Sequence, residues 1–197
     1  MNEDQLNELL YQAFETELGG VQVYETALKC VQNDDLREEW EKYHGQTTHH
    51  VEIVQGLLHE FGLDPGVETA GRAVVRHIGA SLVQAMEMAL ADAPPEAAQL
   101  VAAECVTLAE TKDHLNWELI EEASKRVKGD PGKALRHAFE EVEVQEDEHL
   151  YHTTGWGREL WIESLGIPSV LPPPEEQKDV KTAIGAARAK QVRSDMT

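Results

Sequence analysis

Residues 135–160 read LRHAFEEVEVQEDEHLYHTTGWGREL, in which Leu135, Phe139, Val142, Glu146, His149, Thr153, Trp156 and Leu160 recur at alternating steps of four and three. That spacing is one face of an α-helix, and a face so apolar belongs in a core. Residues 36–61, LREEWEKYHGQTTHHVEIVQGLLHEF, repeat the pattern in Leu36, Trp40, Tyr43, Thr47, His50, Val54, Leu57 and Phe61. Both faces carry a histidine in the same slot. On the C-terminal one, Glu146-x-x-His149 is the spacing by which one helical turn presents a carboxylate and an imidazole to a metal inside a bundle.

Two further seams complete the pattern. Near the N-terminus Leu6, Leu10, Ala13, Glu17, Gly20, Tyr24, Ala27 and Val31 share a face whose only charge is Glu17. A lone carboxylate in an apolar seam costs several kcal/mol unless it is paired, protonated or bound to a cation. The fourth seam is Ala103, Val106, Glu110, Asp113, Trp117 and Ile120. It aligns with the first through Glu17-x6-Tyr24-Glu25 and Glu110-x6-Trp117-Glu118, so the chain reads as one helical hairpin written twice. A shift of one residue would turn Asp113 outward and offer His114 instead.

Breakers divide the chain accordingly. The first helix is expected over about Asp4–Gln32, with Asn33-Asp34-Asp35 as turn and next N-cap, and the second runs on to Phe61, before Gly62-Leu63-Asp64-Pro65-Gly66. A crossover helix over about 67–92 presents Val74, Ile78, Leu82, Ala85 and Ala89. The third long helix spans Pro95 to about Val127. The fourth starts after Gly129-Asp130-Pro131 and reaches about Leu165. Short turns make each hairpin antiparallel, and the long connection can travel the length of a bundle. The expected fold is therefore all-α, a four-helix bundle over residues 1–167, followed by a Pro-rich linker and tail over 168–197. In that tail Val180, Ile184 and Ala187 can line a short helix, with disorder the equal alternative.

Depth gives an independent check. Glu17 lies about as far back from the first turn as His50 lies forward, and Glu110 and His149 stand in the same relation to the second turn. At ~1.5 Å per residue each pair comes to one height. Glu17, His50, Glu110, Asp113, Glu146 and His149 then converge in mid-bundle, where one or two divalent cations would neutralise them. Of the other histidines, His44, His49, His59, His77 and His137 fall off the converging positions, and His152, one turn past His149, is expected to stay outside the site. Trp40, Phe139, Trp156 and Trp161 are expected in the core. Gly19, Gly20, Gly155 and Gly157 interrupt helices near the site, as openings or as close helix contacts.

Composition excludes some partners. With 37 acidic against 17 basic residues the net charge is −20. Such a surface repels nucleic-acid phosphates and anionic lipid. There is no basic, apolar leader and no run of spanning length, which with two widely spaced cysteines, Cys30 and Cys105, points to a reduced cytoplasmic chain with free thiols.

Taken together, these residues resemble the ferritin-like superfamily of di-iron and di-manganese carboxylate proteins, including rubrerythrins and manganese catalases, over roughly residues 4 to 165. The resemblance implies single glutamates at Glu17 and Glu110, the latter joined by Asp113, the Glu146–His149 motif on the fourth helix, and His50 on the second. Thr47 stands where that helix should supply a bridging glutamate. Tyr24 and Trp117 occupy places where the family often has an aromatic residue beside the metal. The implied cofactor is iron or manganese, one or two ions per chain. The implied activity is that of an oxidoreductase on oxygen, peroxide or a small substrate, in a monomer, a homodimer or a higher homo-oligomer. An iron-binding or storage protein, and a metal-free scaffold descended from such a bundle, are the alternatives.

Overall fold

The computed structural model describes residues 1–168; the tail expectations for Val180, Ile184 and Ala187 lie outside the described residues. These form five helices: α1 (Glu3–Cys30), α2 (Asp34–Glu60), α3 (Ala70–Asp92), α4 (Pro95–Ser124) and α5 (Asp130–Ser164), with no strand among them. The described residues are all-α, as their periodicity requires. No helix among the described residues is long and apolar enough to cross a membrane.

Local chemistry sets the ends. The side chains of Asn2, Asn33 and Thr69 accept from Gln5 N, Leu36 N and Arg72 N, starting α1, α2 and α3. Pro95 and Pro131 open α4 and α5, where a missing N–H costs nothing. Gly62 at φ 66° and Gly166 at φ 72° reverse the chain after α2 and α5, with Leu63 N and Ile167 N returning to Leu58 O and Ile162 O. One boundary is tertiary: α1 stops short of Gln32 because Gln99 Oε1 on α4 accepts from both Gln32 N (2.6 Å) and Asn33 N (2.7 Å). Likewise α4 ends at Ser124 rather than Val127, its last turn closing through Arg126 N to Ala123 O.

The helices α1, α2, α5 and α4 each pack against two others, in that cyclic order, and α3 lies against α1 and α4. Cross-contacts give the directions. Asn116 on α4 reaches Thr16, while Gln99 reaches the far end of α1; Trp40, Lys42 and His49 on α2 meet Thr153, Glu148 and Glu141 on α5. Both pairs are therefore antiparallel. By contrast α3 runs alongside α1 in the same direction, from Arg72 beside Glu15 to Gly79 beside Gly19. The four seams all face inward, and only Phe61 and Phe139 remain half-buried. Two apolar clusters result, one around Leu36, Trp40, Val106 and Trp156, the other around Leu10, Leu58, Trp117 and Ile120. Between them lies a layer of acids and histidines.

Two expectations fail. The buried face of α3 is Arg72, Val75, Met86 and Ala89, while Val74 and Ile78 are exposed. Arg72 decides this rotation: its guanidinium donates to Glu15 Oε2 (2.8 and 3.0 Å), Pro65 O (2.7 Å) and Val67 O (2.6 Å), locking α3 and its leading loop onto α1. A buried ion pair anchored by backbone acceptors outweighs two aliphatic side chains. Trp161 is not core but 43% exposed, its indole N–H donating to Glu104.

Candidate metal centre

Six side chains, Glu17 from α1, His50 from α2, Glu110 and Asp113 from α4, Glu146 and His149 from α5, are all buried in this middle layer. His50 Nδ1 stands 3.1 Å from Glu146 Oε1 and 3.8 Å from Glu17 Oε2. His149 Nδ1 stands 3.5 Å from the same Glu146 oxygen and 3.6 Å from Glu110 Oε2. Two triads follow, Glu17–His50–Glu146 and Glu110–Glu146–His149, each with donor atoms within 4.8 Å of one another, and each able to hold a metal ion. Glu146 belongs to both. Asp113 stands outside the triads but beside Glu17, where the two carboxyls act on each other.

The imidazoles are turned by their other nitrogen. His50 Nε2 is 2.9 Å from Gln145 Oε1 on α5, and His149 Nε2 is 3.0 Å from Gln46 Oε1 on α2. An amide oxygen only accepts, so each Nε2 carries the proton and each Nδ1 presents a lone pair inward. The rings stack at 5.7 Å. Trp117 Nε1 donates to Glu17 Oε1 (2.9 Å), leaving Oε2 turned into the layer. Glu17 Oε2, His50 Nδ1, Glu110 Oε2, Asp113 Oδ1, both oxygens of Glu146, His149 Nδ1 and the Tyr24 hydroxyl are buried without a hydrogen-bond partner. Buried polar atoms are rarely left so, and here they point at one another.

Electrostatics agree with the geometry. Burial, then Asp113 and Glu146, raises the Glu17 pKa well above the carboxylate range; burial, then Glu146 and Glu110, does the same for Asp113. Burial and Glu110 push Glu146 up to about 8. Burial also lowers the pKa of His50, which keeps it neutral. Lone pairs therefore face lone pairs at 3.1–3.8 Å. Only protons or cations between them reconcile that arrangement.

The rest of the layer resolves the open register. Asp113 faces inward and His114 turns to Asp147 on α5, with Nε2 2.9 Å from Oδ1; that hydrogen bond raises the His114 pKa. His49 is exposed and pairs with Glu52 and Glu141. His152 lies closer than its spacing suggests: its Nδ1 meets the Tyr43 hydroxyl (3.0 Å) and Glu39 Oε1 (2.9 Å), and the Tyr43 ring lies 4.4 Å from that of His149. Thr47 is buried with its methyl beside Gly20, where an added Cβ would come within 3.1 Å. Sequence reasoning passed over Gln46 and Gln145. Their signal is plain afterwards, since each precedes its helix's histidine by four residues, in Gln46-x3-His50 and Gln145-x3-His149.

Comparison of the chain with models of known protein families, with curated proteins and with solved structures finds no match.

Proposed function

We propose that the protein is a ferritin-like four-helix bundle that holds two divalent ions, iron or manganese, and acts as an oxidoreductase on oxygen, peroxide or a small substrate. The observation that carries the reading is the sharing of Glu146 by two Glu–His triads whose histidines both turn Nδ1 toward it and Nε2 toward a glutamine amide oxygen. Charge supports the number. Glu17, Glu110, Asp113 and Glu146 supply four negative charges, the neutral histidines none, and two divalent ions balance four. Asp113 thereby restores the charge that Thr47 withholds.

Glu17 and His50 would hold one ion, Glu110 and His149 the other, with Glu146 between them. Bound there, iron or manganese supplies redox change and a Lewis-acidic position for an oxidant. The chain's own groups fix that environment. Gln46 and Gln145 aim both imidazoles, burial keeps His50 neutral, Trp117 orients Glu17, and the two apolar clusters exclude bulk water from the layer. Protons displaced from Glu17, Asp113 and Glu146 leave on loading, so uptake tightens as pH rises.

Elemental analysis of protein purified without an affinity tag tests this. About two iron or manganese per chain is expected, and none would overturn the reading. Glu146→Ala should abolish uptake, whereas Glu148→Ala, whose side chain pairs outward with Lys42, should leave it intact.

A further inference from the structure

The helix α3 is apolar on two faces, and the bundle covers only one. Arg72, Val75, Met86 and Ala89 are its buried residues, and it packs on α1 and α4. A second line, Val74, Ile78, Ser81, Ala85 and Met88, runs at unbroken steps of four, three, four and three, and only Ala85 in it is half-buried. Val74 is 59%, Ile78 50% and Met88 62% exposed. A helix apolar on both sides is one that a globular assembly buries on both sides. The opposite flank of the bundle differs: every exposed residue of α2 is charged, polar or glycine.

Area and charge say what covers this face. The 23 residues of α3 run about 35 Å, and Leu108 and Leu115, exposed on the adjoining α4, widen the apolar surface. Two helices about 10 Å apart make a face roughly 20 Å across, on the order of 700 Å². That is more than a monomer ordinarily exposes, and close to the ~800 Å² per partner of a stable complex. Eighteen residues pass between Glu68 and Glu87 without an acid, in a chain of net charge −20. A cationic partner would settle on the acidic faces; a second copy, repelled there, can approach across a neutral one.

The line is also its own complement. An antiparallel two-fold through Ser81 sets Val74 against Met88 of the second copy, and Ile78 within one residue of its Ala85. The small side chains of Ser81 and Ala85 let the helices close at the centre. The same axis brings Glu87 within two residues of Arg76 and His77 of the second copy, whereas a parallel pairing would set Glu87 on Glu87. We infer that this face joins two copies of the chain into a two-fold dimer, α3 antiparallel to α3 about Ser81. The inference needs no metal, so its failure and that of the metal centre are separable.

The test uses the full chain with chelator present, in sedimentation velocity. The mass of two chains is expected, with a dissociation constant on the order of micromolar that tightens as salt screens the repulsion between acidic copies. Val74→Glu and Met88→Glu, at exposed positions, should each weaken the dimer about thirtyfold or more and leave the helical circular dichroism unchanged. Glu87→Lys should weaken it, and His77→Glu in the same chain should restore it, which a parallel pairing would not allow. Under mild oxidation Ser81→Cys should cross-link copy to copy and Thr48→Cys, on the exposed side of α2, should not; Cys30 and Cys105 are buried. A monomer at about 0.1 mM, a dimer indifferent to Val74→Glu and Met88→Glu, or Thr48→Cys cross-linking as readily as Ser81→Cys would overturn the proposal.

Discussion

Replacing Glu146 by glutamine should make the metal-free protein more stable at neutral pH and deprive it of stabilisation by metal. In the fold the Glu146 carboxyl titrates at about 8, against 4.5 as its ordinary value, because burial and Glu110 oppose its charge. A carboxyl raised on folding binds its proton more tightly in the native state, so stability is undiminished below pH 4.5 and falls as pH climbs toward 8. From 4.5 to 7, at about 1.4 kcal/mol per pH unit, the cost is roughly 3 kcal/mol. Glutamine keeps the shape without the charge, and its amide can donate to the carboxyls of Glu110 and Glu17 around it. Urea unfolding of chelated protein should therefore show Glu146→Gln equal to the wild type at pH 4 and up to ~3 kcal/mol more stable at pH 7. Addition of Mn²⁺ at a hundredfold excess over Kd should raise the wild type by about 2.7 kcal/mol and the variant by nothing. A variant destabilised equally at pH 4 and pH 7 would refute the reasoning, since Glu146 would then be a structural hydrogen-bonding group rather than a charge held in readiness.

Three further outcomes are expected. Gln145→Leu leaves the His50 Nε2–H buried without an acceptor; it should lower stability by about 1–3 kcal/mol and metal affinity by about 10–100-fold, read by urea unfolding and competition with a chelator. Arg72→Met strips Glu15 of a buried partner and should cost about 3–5 kcal/mol in thermal unfolding. The same pair gives a pH signature of opposite sign to that of Glu146: burial raises the Glu15 pKa, but the hydrogen bonds from Arg76 and Arg72 outweigh it and the net shift is downward, so its contribution is present above pH 4.5 and fades as the pH falls. Gly20→Ala gains about 1 kcal/mol of helix propensity but presses on the Thr47 methyl; in a Thr47→Ser background only the gain should remain, and a double-mutant cycle by thermal unfolding measures the difference.

The long helices could be read from the chain because period and punctuation agree there. The seams of α1, α2, α4 and α5 each combine an unbroken run of four and three with Asn, Pro or Gly at the ends, and their acids and histidines fall at one level by counting alone. The face of α3 could not, since Val74 and Ile78 satisfy the same periodicity as Val75 and Met86. What chooses between them is the reach of Arg72 to Glu15, 57 residues away, which no local pattern contains. Asp113 and His114 pose the same problem at one-residue resolution; Asp147, a partner on another helix, settles it. Gln46 and Gln145 were missed for a different reason. A neutral amide on a polar stretch looks like surface until the histidine it steers is in view.

The crossing of those two amides has a mechanical consequence. Each of α2 and α5 carries one imidazole and the acceptor that aims the other, so the two helices interlock like reciprocal latches. Sliding or rolling either helix releases both rings together, and neither can lose its aim alone. A disturbance at that seam should therefore disarm the whole centre in a single step instead of leaving a half-functional intermediate.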